Sequence, residues 1–339
     1  MHLSLLAAGI GRGDDVITTP MTFVATANSI VHAGATPVFV DIDRASQLID
    51  PAAVEACIQQ NYYMDGKTGL PVNRETNRRL RAIIPVHLGG RPCAMDDVAD
   101  IAARYNLYVI EDAANAIEAE YRGRKVGAIS DFTCFSFYVP KNLVTGEGGM
   151  VTTNSEEFAT HIKTTCLHGM TADAWTRYSS EETRDYDVIN PGFKYNMTDI
   201  QAALGVQQVK HLTNNLAKRA KIWQAYDEAF SDLPVERPSR LESDTVHARH
   251  LYSLLVDKDR CGVSRDEVRR GLHRRKIGTG VHYRSVHELS FYRNAAYNAG
   301  PLPNAEYVSG RTFSIPLAPH LTSGDVQDVV EAVHAVLRA

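Results

Sequence analysis

LYVIEDAANAIEAEYRGRKVGAISDFTCFSFYVPKNLVTGEGGMVTTN, residues 107–154, is the stretch on which the reading of this chain turns. It opens with a short apolar run, LYVIED, that ends on an acidic residue, Asp112. An apolar run of this length bounded by polar residues suits a strand buried on both faces. In open α/β sheets the ligand-binding groups sit at the carboxyl ends of such strands, which is where Asp112 falls. Lys141 follows 29 residues later, just past the aromatic run FSFY and before the glycine-rich turn GEGG. A lysine held between Pro140 and such a turn differs from an ordinary solvated surface charge.

Working outward, strand-like and helix-like patterns alternate on the N-terminal side. HLSLLAA (2–8) reads as the end of an amphipathic helix stopped by Gly9, DVITTP (15–20) as a strand, and TFVATANSIVHAG (22–34) as a helix. TPVFVDID (36–43) and RAIIPVHL (81–88) read as strands, and MDDVADIAARYN (95–106) as a helix. The polar, turn-rich segment 59–80 reads as a surface insertion. Strands separated by helices predict a mostly parallel sheet covered on both faces. GIGRGD (9–14) imitates a dinucleotide fingerprint, but a helix precedes it where that motif needs a strand, so it reads as a helix cap and loop.

Beyond residue 199 the pattern changes. DIQAALGVQQVKHLTNNLAKRAKIWQAYDEAF is one long helical stretch, followed by a strand (251–256), a helix (264–276), a strand at GTGVHYR and a final helix (323–338). The fold class expected is therefore α/β, with a mostly parallel central sheet in a large domain (1–210) and a smaller C-terminal α+β domain (211–339).

Composition narrows the function classes. Of the 339 residues 44% are hydrophobic and 22% charged, with a net charge of −4, which lacks the basic surplus of a nucleic-acid binder. Five scattered cysteines, none in a CxxC, argue against a disulfide framework or zinc site and fit a reducing cytoplasm. Neither a membrane span nor a signal peptide is legible, so no membrane or nucleic-acid partner is expected.

A strand-end Asp and a later Lys on an α/β sheet meet two needs of pyridoxal-phosphate (PLP) chemistry, an amine and a carboxylate for the pyridine nitrogen. The residues permit that pairing without establishing it. The chain resembles the sugar aminotransferases of the DegT/StrS type, which are fold type I PLP enzymes. The matching stretches are TPMTFVATANSIVHAGATPVFVDID (19–43), PVHLGG (85–90), VIEDAA (109–114), FSFYVPKNLVTGEGGMV (135–151), LHGM (167–170), PGFKYNMTDIQAALGVQQ (191–208), TGVHY (279–283) and SIPLAPHLTSGDV (314–326). They run in order along nearly the whole chain.

The resemblance implies a set of roles. Lys141 would be the Schiff-base lysine and Asp112 the partner of the pyridinium nitrogen. Phe23 would stack on the cofactor ring, Asn115 would stand beside its ring oxygen, and Ser136 would bind its phosphate. Asn196 would reach the same phosphate from a second subunit, which implies a homodimer with shared sites. The implied substrates are an amino-acid donor, glutamate, and a nucleotide-linked keto-sugar, with TGEGG leaning toward carbon 4. A keto-cyclitol acceptor and a non-catalytic dimer are the alternatives, and the retained Lys141 and Asp112 speak against the second. Asn115 stands where the family has His or Gln, and Val144 interrupts a usual threonine pair. The family also places a Gly-Thr-Ala phosphate loop before the helix with which this chain opens, so a further N-terminal stretch, and weaker cofactor binding without it, are expected.

Overall fold

The computed structural model describes residues 1–171, 186–294, 297 and 299–337. Its strands in chain order are β1 (Asp14–Thr18), β2 (Thr36–Phe39), β3 (Tyr62–Met64), β4 (Pro71–Asn73), β5 (Arg79–Ile84), β6 (Tyr108–Asp112), β7 (Glu120–Tyr121) and β8 (Arg124–Lys125). They continue with β9 (Phe132–Ser136), β10 (Gly149–Thr152), β11 (Val235–Glu236), β12 (Thr245–Val246), β13 (Tyr252–Val256) and β14 (Thr312–Ile315).

The main sheet runs β10-β9-β6-β5-β1-β2, with the β3–β4 pair joined to it through β5. Strands β2, β1, β5, β6 and β9 are parallel, while β10 and β4 are antiparallel additions. Successive strand residues point to opposite faces, and the sequence supplies apolar side chains for both. Ile17, Ile83 and Val109 face a core that includes Val54, Met95, Val98 and Ile101 of the helices Pro51–Asn61 and Met95–Tyr105. Their neighbours Val16, Ile84 and Ile110 face another, with Leu5, Ile30 and Phe132.

The C-terminal half builds a second sheet, β11-β13-β14, wholly antiparallel. Helices Leu212–Ala229, Arg265–Arg274 and Ser323–Leu337 bury Trp223, Tyr226, Leu272 and Val333 against it. The helix at Arg265 starts where it does because Ser264 and Glu267 form a reciprocal capping box. A third small sheet, β12-β7-β8, joins residues 245–246 to the large-sheet segment through β7. Among the described residues no helix is long and apolar enough to cross a membrane.

Several expectations are corrected. Segment 59–80 is no mere surface insertion. It forms the β3–β4 hairpin, which extends the sheet through β5 and buries Tyr62 on one of its faces and Val72 on the other. The helix expected from residue 22 starts only at Ala25, and the long helix from residue 199 is two, Asp199–Val209 and Leu212–Ala229. GTGVHYR makes a single bridge, Gly280 to Ser314, rather than a strand. The helix Pro303–Arg311 and strand β14 had no reading in the sequence. GIGRGD does cap a helix and turn into β1, with Gly9 and Gly13 at positive φ.

Candidate active site

The carboxyl end of β6 places Asp112 beneath helix Ala25–His32. Thr26 Oγ1 donates to Asp112 Oδ2 at 2.6 Å, and the Ala114 N–H donates to Oδ1 at 3.1 Å. Thr26 has one hydroxyl proton and gives it to the carboxylate, so in its 2.7 Å contact with Thr22 the Thr22 hydroxyl is the donor. The backbone is equally fixed, since the Asp112 N–H bonds the Pro85 carbonyl and its own carbonyl accepts from the His87 N–H. Behind it Glu111, on the opposite face, is held by His87 Nε2 at 2.8 Å and Thr133 Oγ1 at 2.7 Å.

Lys141 sits in the loop that joins β9 to β10. That loop is closed by Phe137 N–H to Gly148 O, Thr145 N–H to Phe137 O and Lys141 N–H to Tyr138 O. Glycine is required where β10 begins, because a Cβ on Gly149 would stand 2.8 Å from the Phe135 carbonyl oxygen. Thr145, the threonine kept beside Val144, bonds the Glu147 carbonyl through Oγ1 at 2.7 Å. Burial pushes the Lys141 amine below the ordinary lysine range, and the charge of Asp112 opposes that shift. A lysine so lowered is more readily neutral and nucleophilic.

The remaining residues singled out from the sequence fall as follows. Ser136 ends β9, pairs across to Gly149, and accepts a long bond of 3.4 Å from the Tyr138 N–H. Asn115 is buried, and its Nδ2 has no hydrogen-bond partner among the described residues. Phe23 precedes its helix and is 59% exposed, with its ring 6.0 Å from that of Tyr283. Asn196 is exposed and bonds only the Met197 carbonyl, at 3.4 Å, so within this one chain it does not join the others.

The structure adds residues that the sequence did not announce. Tyr283, whose phenol is raised by burial and then by the Asp112 charge, comes from the C-terminal half, as does His282, bonded through Nδ1 to Ser314 Oγ at 2.6 Å. Burial and then the Lys141 charge hold His282 below the ordinary imidazole range. Asn142 meets His250 at 2.9 Å. The one available signal was the TGVHY match, which was not carried to residue roles.

Comparison with known proteins accords with this geometry. Residues 1–334 match the DegT/DnrJ/EryC1/StrS aminotransferase family. The chain is 46% identical over 338 residues to protein MJ1066 of Methanocaldococcus jannaschii, covering 99% of this chain and 83% of that protein. It is 43% identical over 340 residues to the spore coat polysaccharide biosynthesis protein SpsC of Bacillus subtilis, covering 100% and 83%. The PLP form of Spr1654 from Streptococcus pneumoniae superimposes with a TM-score of 0.84 at 28% identity, over 99% of this chain and 84% of that one. The chain belongs to the DegT/DnrJ/EryC1/StrS family and is a PLP-dependent aminotransferase.

Proposed function

We propose that the enzyme moves an amino group from an amino acid, glutamate, to the keto group of a nucleotide-linked sugar, at carbon 4, with Lys141 as the reacting amine. The observation that carries this reading is the meeting of Lys141 and Asp112, a half-buried amine lowered by burial and an anchored carboxylate close enough to act on its charge. Bound PLP supplies an electron sink next to the carbon that gains or loses the amine. The residues suit that group. Each Asp112 oxygen accepts one bond from the protein and keeps a lone pair for a ring N–H. Asn115 Nδ2 is an unspent donor, and Ser136 and the exposed ring of Phe23 lie in the segments that lead into and out of the site.

Lys141 takes the proton from the substrate carbon and returns one, a task suited to an amine whose basicity burial has reduced. The sugar acceptor is supported by SpsC, named for the biosynthesis of a polysaccharide. A homodimer is supported by helix Asp199–Val209, which buries none of its residues in this chain. It leaves Ile200 78% and Val206 60% exposed, and the lysine loop likewise exposes Tyr138 and Val139. Gly205 packs against Thr145 of that loop, so a second copy on this face would lie beside the site and take Asn196 with it. The division into 1–210 and 211–339 is supported by the break between the two helices and by the burial of Trp223 and Tyr226 in the C-terminal core.

Borohydride reduction of the PLP-loaded protein, followed by peptide mass analysis, is expected to fix the cofactor to Lys141. Lys141→Ala is expected to lose that link and at least ~10²–10⁴-fold in turnover. A panel of nucleotide keto-sugars and keto-cyclitols identifies the acceptor, and a label on another lysine overturns the assignment.

A further inference from the structure

The loop that carries Lys141 is shaped from within. Its backbone bonds, Phe137 to Gly148, Thr145 to Phe137 and Lys141 to Tyr138, all close on the loop itself, and so does the Thr145 hydroxyl on Glu147. They set its form and not its place against the rest of the fold. Burial of Leu143 adds apolar contact, which carries no direction. Among the described residues, the only hydrogen bonds from 137–148 to parts of the chain beyond the β9–β10 hairpin are made by one side chain, Asn142.

Every polar atom of that carboxamide is used. Nδ2 donates to Glu118 Oε2 at 2.9 Å and to the Ala248 carbonyl at 3.0 Å, while Oδ1 accepts from His250 Nδ1 at 2.9 Å. A flipped amide would set its oxygen against a carboxylate and a carbonyl, so the two acceptors decide which end is nitrogen. Glu118 is paired with Arg219 of helix Leu212–Ala229, the two side chains being 5% and 2% exposed. Releasing Asn142 would leave a buried carboxylate short of a donor.

The same partners fix what the loop is set against. Glu118 follows Asp112 through two successive turns, closed by Ala116 N–H to the Ala113 carbonyl and Ala119 N–H to the Ala116 carbonyl. The bond from Asn142 to Glu118 therefore ties the lysine loop to the segment that carries Asp112. Consecutive Cα atoms stand about 3.8 Å apart, so holding the backbone of Asn142 holds that of Lys141 to within one peptide unit.

We propose that Asn142 is the positioning residue for Lys141. Glu118, the Ala248 carbonyl and His250 hold its carboxamide, and through it the lysine backbone is placed against the segment bearing Asp112. The proposal rests on Lys141 being the reacting amine, a reading that the anchor itself does not require.

The test compares the full chain with Asn142→Ala, Glu118→Gln and the double variant. Each is freed of cofactor, given PLP and sampled into borohydride at timed intervals, and peptide mass analysis reads how fast the cofactor becomes fixed to Lys141. Misplacing a reacting group by about 1 Å can cost on the order of 10²-fold. The flexible lysine stem recovers part of that, so Asn142→Ala is expected to slow labelling about tenfold. Asn142→Ser, which can keep one of the two donated bonds, should fall between. Thermal midpoints are recorded alongside, and rates are taken well below the lowest of them. A role in stability alone would lower the midpoint and leave the rate.

Glu118→Gln is expected to slow labelling by about threefold or more on its own. Added to Asn142→Ala it should cost less than about twofold further, because residues that act through one another are not additive. An unchanged rate in Asn142→Ala, or effects of the two substitutions that simply multiply, overturns the proposal. A label on a different lysine in the unaltered protein would instead overturn the role given to Lys141, so the two failures are distinguishable.

Discussion

Thr26 and Asp112 are joined by a 2.6 Å hydrogen bond across 86 residues of sequence, tying the helix after β1 to the end of β6. The hydroxyl has only that proton to give, and both partners are buried. The carboxylate is thus aimed before any ligand arrives. Preorganisation of this kind spares the site the cost of orienting it later.

Thr26→Val keeps the side-chain shape and deletes the donor. A hydrogen bond to a charged group is worth about 1.5–3 kcal/mol, and the variant is expected to lose a comparable amount of unfolding free energy in urea. Thr26→Ser should recover most of it. A valine variant as stable as the unaltered protein would show that the bond contributes nothing.

Asp112→Asn puts an N–H₂ where a carboxylate oxygen accepted. Thr26 can rotate its hydroxyl to accept instead, so folding should change little. With Asp112 in the role proposed for it, the charge for the ring nitrogen is lost, and with it about 1.5–3 kcal/mol, or roughly 10- to 100-fold in turnover. Paired measurements of turnover and urea midpoint check this, and near-normal turnover would refute the role given to Asp112.

Asp15 lies at the other end of the sheet, on β1, and the hairpin β3–β4 closes over it. Tyr62 donates its hydroxyl to Oδ2 at 2.8 Å, and Arg78 stands 4.0 Å from Oδ1. Burial raises the carboxyl from 3.8 to about 6, against the opposing Tyr62 bond and Arg78 charge. The folded protein therefore holds this proton more tightly than the unfolded chain does. Stability from this group is full below the unfolded value and is lost as pH rises through about 6. Asp15→Asn keeps an acceptor for Tyr62 and is expected to stabilise by about 1–3 kcal/mol at pH 7, with no gain at pH 4. Urea unfolding at the two pH values measures it, and an equal effect at both would exclude the titration as its cause.

The fold was legible wherever short-range pattern decides it. LYVIED and RAIIPV carry apolar residues for both faces of a parallel sheet, and helix Met95–Tyr105 shows its spacing plainly. Asp112 was visible as an acidic strand end and Lys141 as a lysine before glycines. The hairpin at 62–73 was not visible, because its buried residues, Tyr62, Pro71 and Val72, are few and the polar residues around them dominate the segment. GTGVHYR has the β-branched look of a strand but pairs through one bridge, so its shape is set by Ser314 rather than by its own residues. Asn142, Glu118, Arg219 and His250 escaped for a different reason. Their bonds span 24 to 108 residues, and no local pattern encodes partners that distant.

The strand pair β12–β7 and the bond from Asn142 to the Ala248 carbonyl bear on how the enzyme is made. During synthesis from the N-terminus, the sheet's strands up to β10 are complete long before residues 245–250 exist. Contacts of such long sequence separation form slowly, since the chain between must first be ordered. The loop holding Lys141 therefore acquires its final anchors only after residue 250 has emerged from the ribosome. Until the stretch 245–250 docks, the β9–β10 loop keeps its own backbone bonds but lacks the Ala248 and His250 partners of Asn142.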